Sequence, residues 1–169
     1  MGAVEVFNAM PAVRLESELS ACCAAPAWGA AITAGRPYPD RVSVLAAAKA
    51  ATDELSWGDV AQGLAGHPRI GERAAGEGRA ATWSRGEQST ADRTADAATR
   101  AALVAANRAY EDRFGHVFLI FAAGRTQAEI LAEARRRLGN DDRAERVEVA
   151  RELGAIAALR LERLLDGLG

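Results

Sequence analysis

Only one stretch of this chain, residues 117–123, has the apolar, β-branched and aromatic character of a buried strand. A lone strand has no neighbour to receive its backbone hydrogen bonds, so it cannot make a sheet. The remaining apolar residues recur at helical spacing between glycine and proline punctuation. The chain is therefore expected to be all-α, a single compact domain over residues 1–169, with about seven to nine helices and one buried extended connector at 117–123.

The boundaries follow from local chemistry. Pro11 can open a helix running to about Ala24, and Pro26 a second short one, giving two N-terminal helices. Asp40 can cap a helix carrying Val44, Leu45 and Ala48, and Ser56 with Asp59 forms a capping-box pattern for the next, which ends near Gly66. Residues 67–86 are rich in glycine and charge and read as a long loop. A long Ala-rich helix is expected over 87–113, with Leu103, Val104 and Tyr110 buried, stopped at Phe114 and Gly115. Thr126 and Glu129 then open a helix with Ile130, Leu131, Ala134 and Leu138 on one face, ending at Gly139. Asn140 is the expected cap of the last helix, whose inward stripe is Val149, Leu153, Ile156 and Leu159.

Composition excludes several function classes. With 49% hydrophobic residues, 169 residues can bury a core without disulfides, and the only cysteines, Cys22 and Cys23, are adjacent. A net charge of −2 provides no basic field for nucleic acid or anionic lipid. No apolar run is long enough for a membrane span, and no secretion signal is visible, so a soluble, cytoplasmic protein is expected. Two histidines, His67 and His116, rule out HExxH and three-histidine metal sites. Lys49 stands mid-helix with no phosphate loop nearby, unsuited to a Schiff-base cofactor. No metal and no organic cofactor are expected.

Chemistry must then come from His, Glu, Gln, Ser, Arg and backbone groups. His67 precedes Pro68, which holds it extended at a helix–loop junction. It could face a cleft as an acid/base or simply cap the carbonyls of the preceding helix. Ser84, Glu87 and Gln88 form a second cluster at capping-box spacing; it either closes the start of the long helix or offers that N-terminus to an anionic ligand. The connector Phe118, Leu119, Ile120, Phe121 and Ala122 is ordinary core, or its backbone groups serve a planar, amide-rich ligand. His116 reads as a packing residue.

Three segments together resemble one family. His67-Pro68-Arg69-Ile70-Gly71, the Ser84, Glu87, Gln88 cluster, and Phe114-Gly115-His116-Val117-Phe118-Leu119-Ile120 followed by residues 126–140 are similar in order and spacing to the 2-oxo-4-hydroxy-4-carboxy-5-ureidoimidazoline (OHCU) decarboxylases. The resemblance implies an all-α, cofactor-free carboxy-lyase, a homodimer in most members, that converts OHCU to (S)-allantoin in urate degradation. By position it makes His67 the acid/base and Glu87 its polar partner. Pro68, Ser84, Arg85, Gly86, Gln88 and the connector Phe118, Leu119, Ile120, Phe121 and Ala122 would bind substrate. Two departures are His116, where many members have phenylalanine, and Arg125, the nearest match to an arginine expected near Ala123. The end Asp166-Gly167-Leu168-Gly169 lacks the peroxisomal tripeptide, which points to a cytoplasmic, bacterial-type member. Two other readings compete: a decarboxylase or hydrolase of a related ureido compound, and a non-catalytic helical interaction domain in which His67 and Glu87 are caps.

Overall fold

The computed structural model describes residues 1–72 and 76–169; residues 73–75 of the expected loop lie outside the described residues. Among the described residues there are ten α-helices and no strand: α1 Ala3–Ala9, α2 Ala12–Cys22, α3 Pro26–Ala34, α4 Arg41–Asp53, α5 Trp57–Leu64, α6 Arg79–Glu87, α7 Ser89–Thr94, α8 Ala97–Phe114, α9 Gln127–Arg137 and α10 Asp142–Asp166. The all-α expectation holds, but with more helices than expected. Three features explain the excess, the first being α6, which forms within the segment expected to be a loop. The seven-residue α1 precedes Pro11 and carries one fully buried anchor, Phe7. The long helix expected over 87–113 is broken, because Ala95 is extended and Asp96 caps α8 afresh, its carboxylate accepting from Thr99 N at 2.7 Å.

The fold forms two compact units, Met1–Gly66 with Leu153–Gly169, and His67–Glu152. In the first unit, Phe7, Leu15, Leu19, Trp28, Ile32, Val44 and Leu161 are buried. The Trp28 indole N–H donates to Ala48 O (3.2 Å) and Thr52 Oγ1 (3.1 Å), so the largest core side chain leaves no buried donor unmet. The expected caps form here: Asp40 accepts from Ser43 N at 2.7 Å, and Ser56 and Asp59 complete a capping box. Leu159 of the expected C-terminal stripe is only half-buried, while Ile156 and Leu161 are enclosed.

The second unit holds α6 to α9 and α10 up to Glu152 around Ile70, Leu103, Tyr110, Phe118, Ile120, Ile130 and Ala134. Leu103, Ala106, Asn107 and Tyr110 define the inward face of α8; Val104, expected inside, falls beside that stripe and is 53% exposed. Gly115 closes α8 at φ +79°, a conformation that favours glycine, with its N–H on Glu111 O at 2.8 Å. At α10, Asp141 is the cap, accepting from Ala144 N at 2.7 Å. Asn140, expected in that role, instead donates to Glu145 Oε2 (3.0 Å) and Glu148 Oε1 (2.9 Å).

Candidate active site

All the residues singled out for chemistry lie in the second unit. His67 and Pro68 follow the turn after α5 and are half-buried. The chain beyond them is fixed at three points. The Arg69 guanidinium grips Glu111 on α8 with two bonds of 2.6 and 3.1 Å. Ile70 is buried, and its carbonyl accepts from Asn107 Nδ2 at 2.8 Å. Gly71, at φ +90°, donates its N–H to Gln88 Oε1 at 3.1 Å. The backbone that carries His67 is therefore tied to both the 84–88 cluster and α8.

The 84–88 cluster is placed differently from the sequence expectation. Helix α6 begins at Arg79, with Gly78 at its N-cap, so Trp83 to Gly86 are helical and the preceding loop is shorter than residues 67–86. Ser84 and Glu87 occupy the last part of that helix and do not form a capping box at its start. The carbonyl end of α6 lies there and α7 begins directly after it, at Ser89 with Gln88 as its N-cap residue, so the helix start inferred at Ser84 from spacing falls instead after the cluster. Ser84, Glu87 and Gln88 turn inward and are 4%, 7% and 7% exposed. Arg85 lies off that face and donates to Gly76 O (3.0 Å) and Thr82 Oγ1 (3.3 Å), while Gly86 is exposed with open space around it.

The connector is extended and unpaired by any strand among the described residues, with Phe118, Leu119, Ile120 and Ala122 buried and Phe121 half-buried. Its backbone is not wholly open to a ligand, as expected for an unpaired segment, because side chains take part of it. Arg137 donates to Leu119 O at 2.7 Å, Phe121 N donates to Glu152 Oε2 at 2.9 Å, and Arg125 Nε donates to Phe121 O at 3.1 Å. The N–H groups of Leu119, Ile120 and Ala122 have no hydrogen bond among the described residues. Arg125 thus reaches the connector from two residues beyond the place where the family pattern expects an arginine. His116 packs between rings, edge-on to Tyr110 (5.5 Å) and stacked on Phe114 (6.2 Å), with Nδ1 3.1 Å from Val117 O.

Behind the connector stands a buried ion-pair network that sequence reasoning missed. Arg137 and Glu145 are both fully buried; Arg137 Nε and NH2 lie 2.8 and 2.5 Å from Glu145 Oε1, which also accepts from the Tyr110 hydroxyl. Burial and the adjacent Glu145 carboxylate push the Tyr110 phenol well above its usual range. The Arg137 guanidinium lies over Phe118, 4.6 Å from the ring centre. A signal was available: Ile130, Ala134 and Arg137 share helical spacing, so Arg137 continues the apolar stripe of α9 inward.

Among the described residues, no group of three histidine, cysteine, aspartate or glutamate side chains is placed to hold a metal ion. A cavity of about 640 Å³ opens between α6, α7, α8 and α9; it touches Gly71 and Arg85 but neither His67 nor Glu87.

The family model described as OHCU decarboxylase matches residues 8–162. The 2-oxo-4-hydroxy-4-carboxy-5-ureidoimidazoline decarboxylase of Amia calva is 32% identical over 142 residues, 83% of this chain and 81% of the relative. The uric acid degradation bifunctional protein TTL of Arabidopsis thaliana is 28% identical over 153 residues, which are 89% of this chain but 47% of that longer protein. An OHCU decarboxylase crystallised in the presence of (S)-allantoin superposes with a TM-score of 0.77 at 27% identity, covering 88% of this chain and 97% of its own. An (S)-allantoin synthase shares the fold at TM-score 0.69 and 18% identity, covering 95% and 53%. With a family match running through both units, the chain belongs to the OHCU decarboxylase family and is a decarboxylase.

Proposed function

We propose that this decarboxylase acts on OHCU in urate degradation, giving (S)-allantoin and CO2, with residues 1–169 working as one catalytic unit. The observation that carries the reading is the structural match, over 88% of the chain, to a family member crystallised with (S)-allantoin. The buried Ser84, Glu87 and Gln88 and the pinned 67–71 segment support it, because they give a small ligand a rigid polar wall.

In the proposed reaction the bond between the ring carbon and its carboxylate breaks, CO2 leaves, and the electron pair passes into the conjugated C=N and C=O groups of the substrate ring. The substrate supplies its own electron sink, so no organic cofactor or metal enters the scheme. A proton from the His67 imidazolium then goes to the neighbouring, ureido-bearing ring carbon, while the hydroxyl on the carbon that lost CO2 becomes the product C=O and its proton passes to the ring nitrogen that took up the electron pair; His67 regains a proton from solvent. Glu87 orients the imidazole and favours its protonated form, while the free connector N–H groups receive negative charge developing on the ring. Pro68, Ser84 and Gln88 shape the pocket on the His67 side; Arg85 and Gly86 bear on substrate only from its rim. The same reading takes the enzyme as a cytoplasmic homodimer of bacterial type. Among the described residues no helix is long and apolar enough to cross a membrane.

The test is product analysis of urate oxidised by coupled enzymes with and without this protein. The expected result is rapid appearance of one allantoin enantiomer, seen by circular dichroism, only when the protein is present. Unchanged OHCU decay alongside turnover of another ureido acid would move the assignment to that compound.

A further inference from the structure

One peptide group, between Ile70 and Gly71, is held from both sides by amide side chains. Its carbonyl accepts from Asn107 Nδ2 at 2.8 Å, and its N–H donates to Gln88 Oε1 at 3.1 Å. Asn107 stands on the inward face of α8, and Gln88 follows the last residue of α6. Both belong to the second unit and are nearly enclosed, Asn107 at 6% exposure and Gln88 at 7%. A carbonyl can meet only a donor and an N–H only an acceptor, so this peptide fixes which end of each amide faces it.

The far ends of the two amides differ. Asn107 Oδ1 is sealed and has no hydrogen-bond partner. Such an oxygen is unfavourable, and turning the amide over would set it against Ile70 O, so Asn107 is retained for its one bond to that carbonyl. Gln88 Nε2 also has no hydrogen bond among the described residues, but it is not sealed. The Gln88 side chain does not cap α7 either, and it shares the inward cluster with Ser84 and Glu87. Unmet N–H donors that reach open space from so enclosed a side chain point to a bound acceptor.

We propose that Asn107 is a positioning residue for substrate selection. By holding the Ile70–Gly71 peptide it fixes Gln88 as a donor, so that Gln88 Nε2 reads a carbonyl or carboxylate oxygen of the substrate and rejects an N–H at that place. This rests on the assignment of the 84–88 cluster to the substrate site. A ureido group carries C=O and N–H side by side; an amide free to turn over would accept it in two orientations, whereas a fixed donor accepts one.

Steady-state decarboxylation of freshly generated OHCU by the full chain tests this with Asn107→Leu and Gln88→Glu. Asn107→Leu removes the donor together with the unmet Oδ1, so stability should change little. Its KM should rise about tenfold with kcat within about threefold of wild type, because the released Gln88 amide can turn its oxygen toward the substrate. A purely structural role would leave KM unchanged, since an unfolded fraction lowers only the apparent kcat. Gln88→Glu keeps an acceptor for Gly71 N–H but replaces the donor end with a second acceptor, and its KM should rise by about tenfold or more. That variant decides the matter if Asn107→Leu does not fold. Amide hydrogen exchange at Gly71, followed by NMR, needs no turnover: protection should be present in the wild type, kept in Gln88→Glu, and about tenfold lower in Asn107→Leu and Gln88→Leu. Absence of OHCU turnover by the wild type would overturn the assigned reaction, and Gly71 protection would then decide the positioning by itself. Wild-type KM in either variant, a loss in Asn107→Leu confined to kcat, or Gly71 exchange indifferent to that substitution would each overturn the proposal.

Discussion

Loss of CO2 from a ring carbon leaves a carbanion that must be protonated before it reacts otherwise, so the residue that delivers that proton controls both rate and product handedness. His67→Ala should reduce turnover by roughly two to four orders of magnitude, the usual contribution of general acid–base catalysis, with the helical circular dichroism spectrum unchanged. Near-normal turnover in that folded variant would remove His67 from the mechanism. Glu87 can now be tested more sharply than spacing alone allowed. Because it sits at the end of α6 and not in a capping box at its start, the N-terminal capping role is gone, and Glu87→Gln probes charge alone. The expected outcome is a melting temperature within a few degrees of wild type and turnover lower by about a hundredfold. Full activity would show that Glu87 contributes only shape and hydrogen bonding.

At the scale of elements, the connector is the part of the candidate site most dependent on others, and Arg137, which donates to Leu119 O, is its buried anchor. Replacing Arg137 by Met leaves Glu145 buried without its counter-charge and frees Leu119 O, which should lower stability by about 3–5 kcal/mol in urea unfolding. Removing both charges in Arg137→Met with Glu145→Met should recover much of that loss, while kcat stays depressed because the connector carbonyl remains unanchored. Much of this element structure was legible. Asp40, Ser56 and Thr126 sit three residues before the backbone N–H they accept from, a local relation that needs no knowledge of the fold. The connector was legible because one strand-like run has nowhere to pair. The direction of the 84–88 cluster was not, since serine and glutamate three apart read as a helix start, and only tertiary packing shows that α6 had already begun at Arg79. Arg137 was hidden for the opposite reason: a third consecutive arginine reads as solvated surface until Glu145, eight residues on, is folded against it.

For the whole molecule, the carboxylates that hold elements together also set its response to acid. Glu148 on α10 is bonded by Arg136 at 2.6 and 3.0 Å and by Asn140 at 2.9 Å, and these bonds, led by the Arg136 guanidinium, lower its pKa from 4.5 to about 2. Glu133 is lowered by the same guanidinium, and the caps Asp40 and Asp96 by the N–H groups of Ser43 and Thr99. For each, the folded value lies below the unfolded one, so the unfolded chain binds more protons as acid is added. The stability they contribute is complete above the ordinary carboxylate range and is lost as pH falls through it toward the folded values. Glu148 should therefore make the urea midpoint fall progressively between pH 4.5 and about 2, with little change between pH 6 and 7 from this residue. Glu148→Gln should lower the midpoint at pH 6 and flatten its slope below pH 4.5, because a neutral amide has no proton to take up. Arg136→Gln should flatten the same limb by returning Glu148 toward its ordinary value, although the carboxylate itself is retained. Parallel acid limbs in the wild type and both variants, measured by urea unfolding at half-unit pH steps, would show that the Arg136–Glu148 pair does not govern acid stability and that the loss originates elsewhere in the fold.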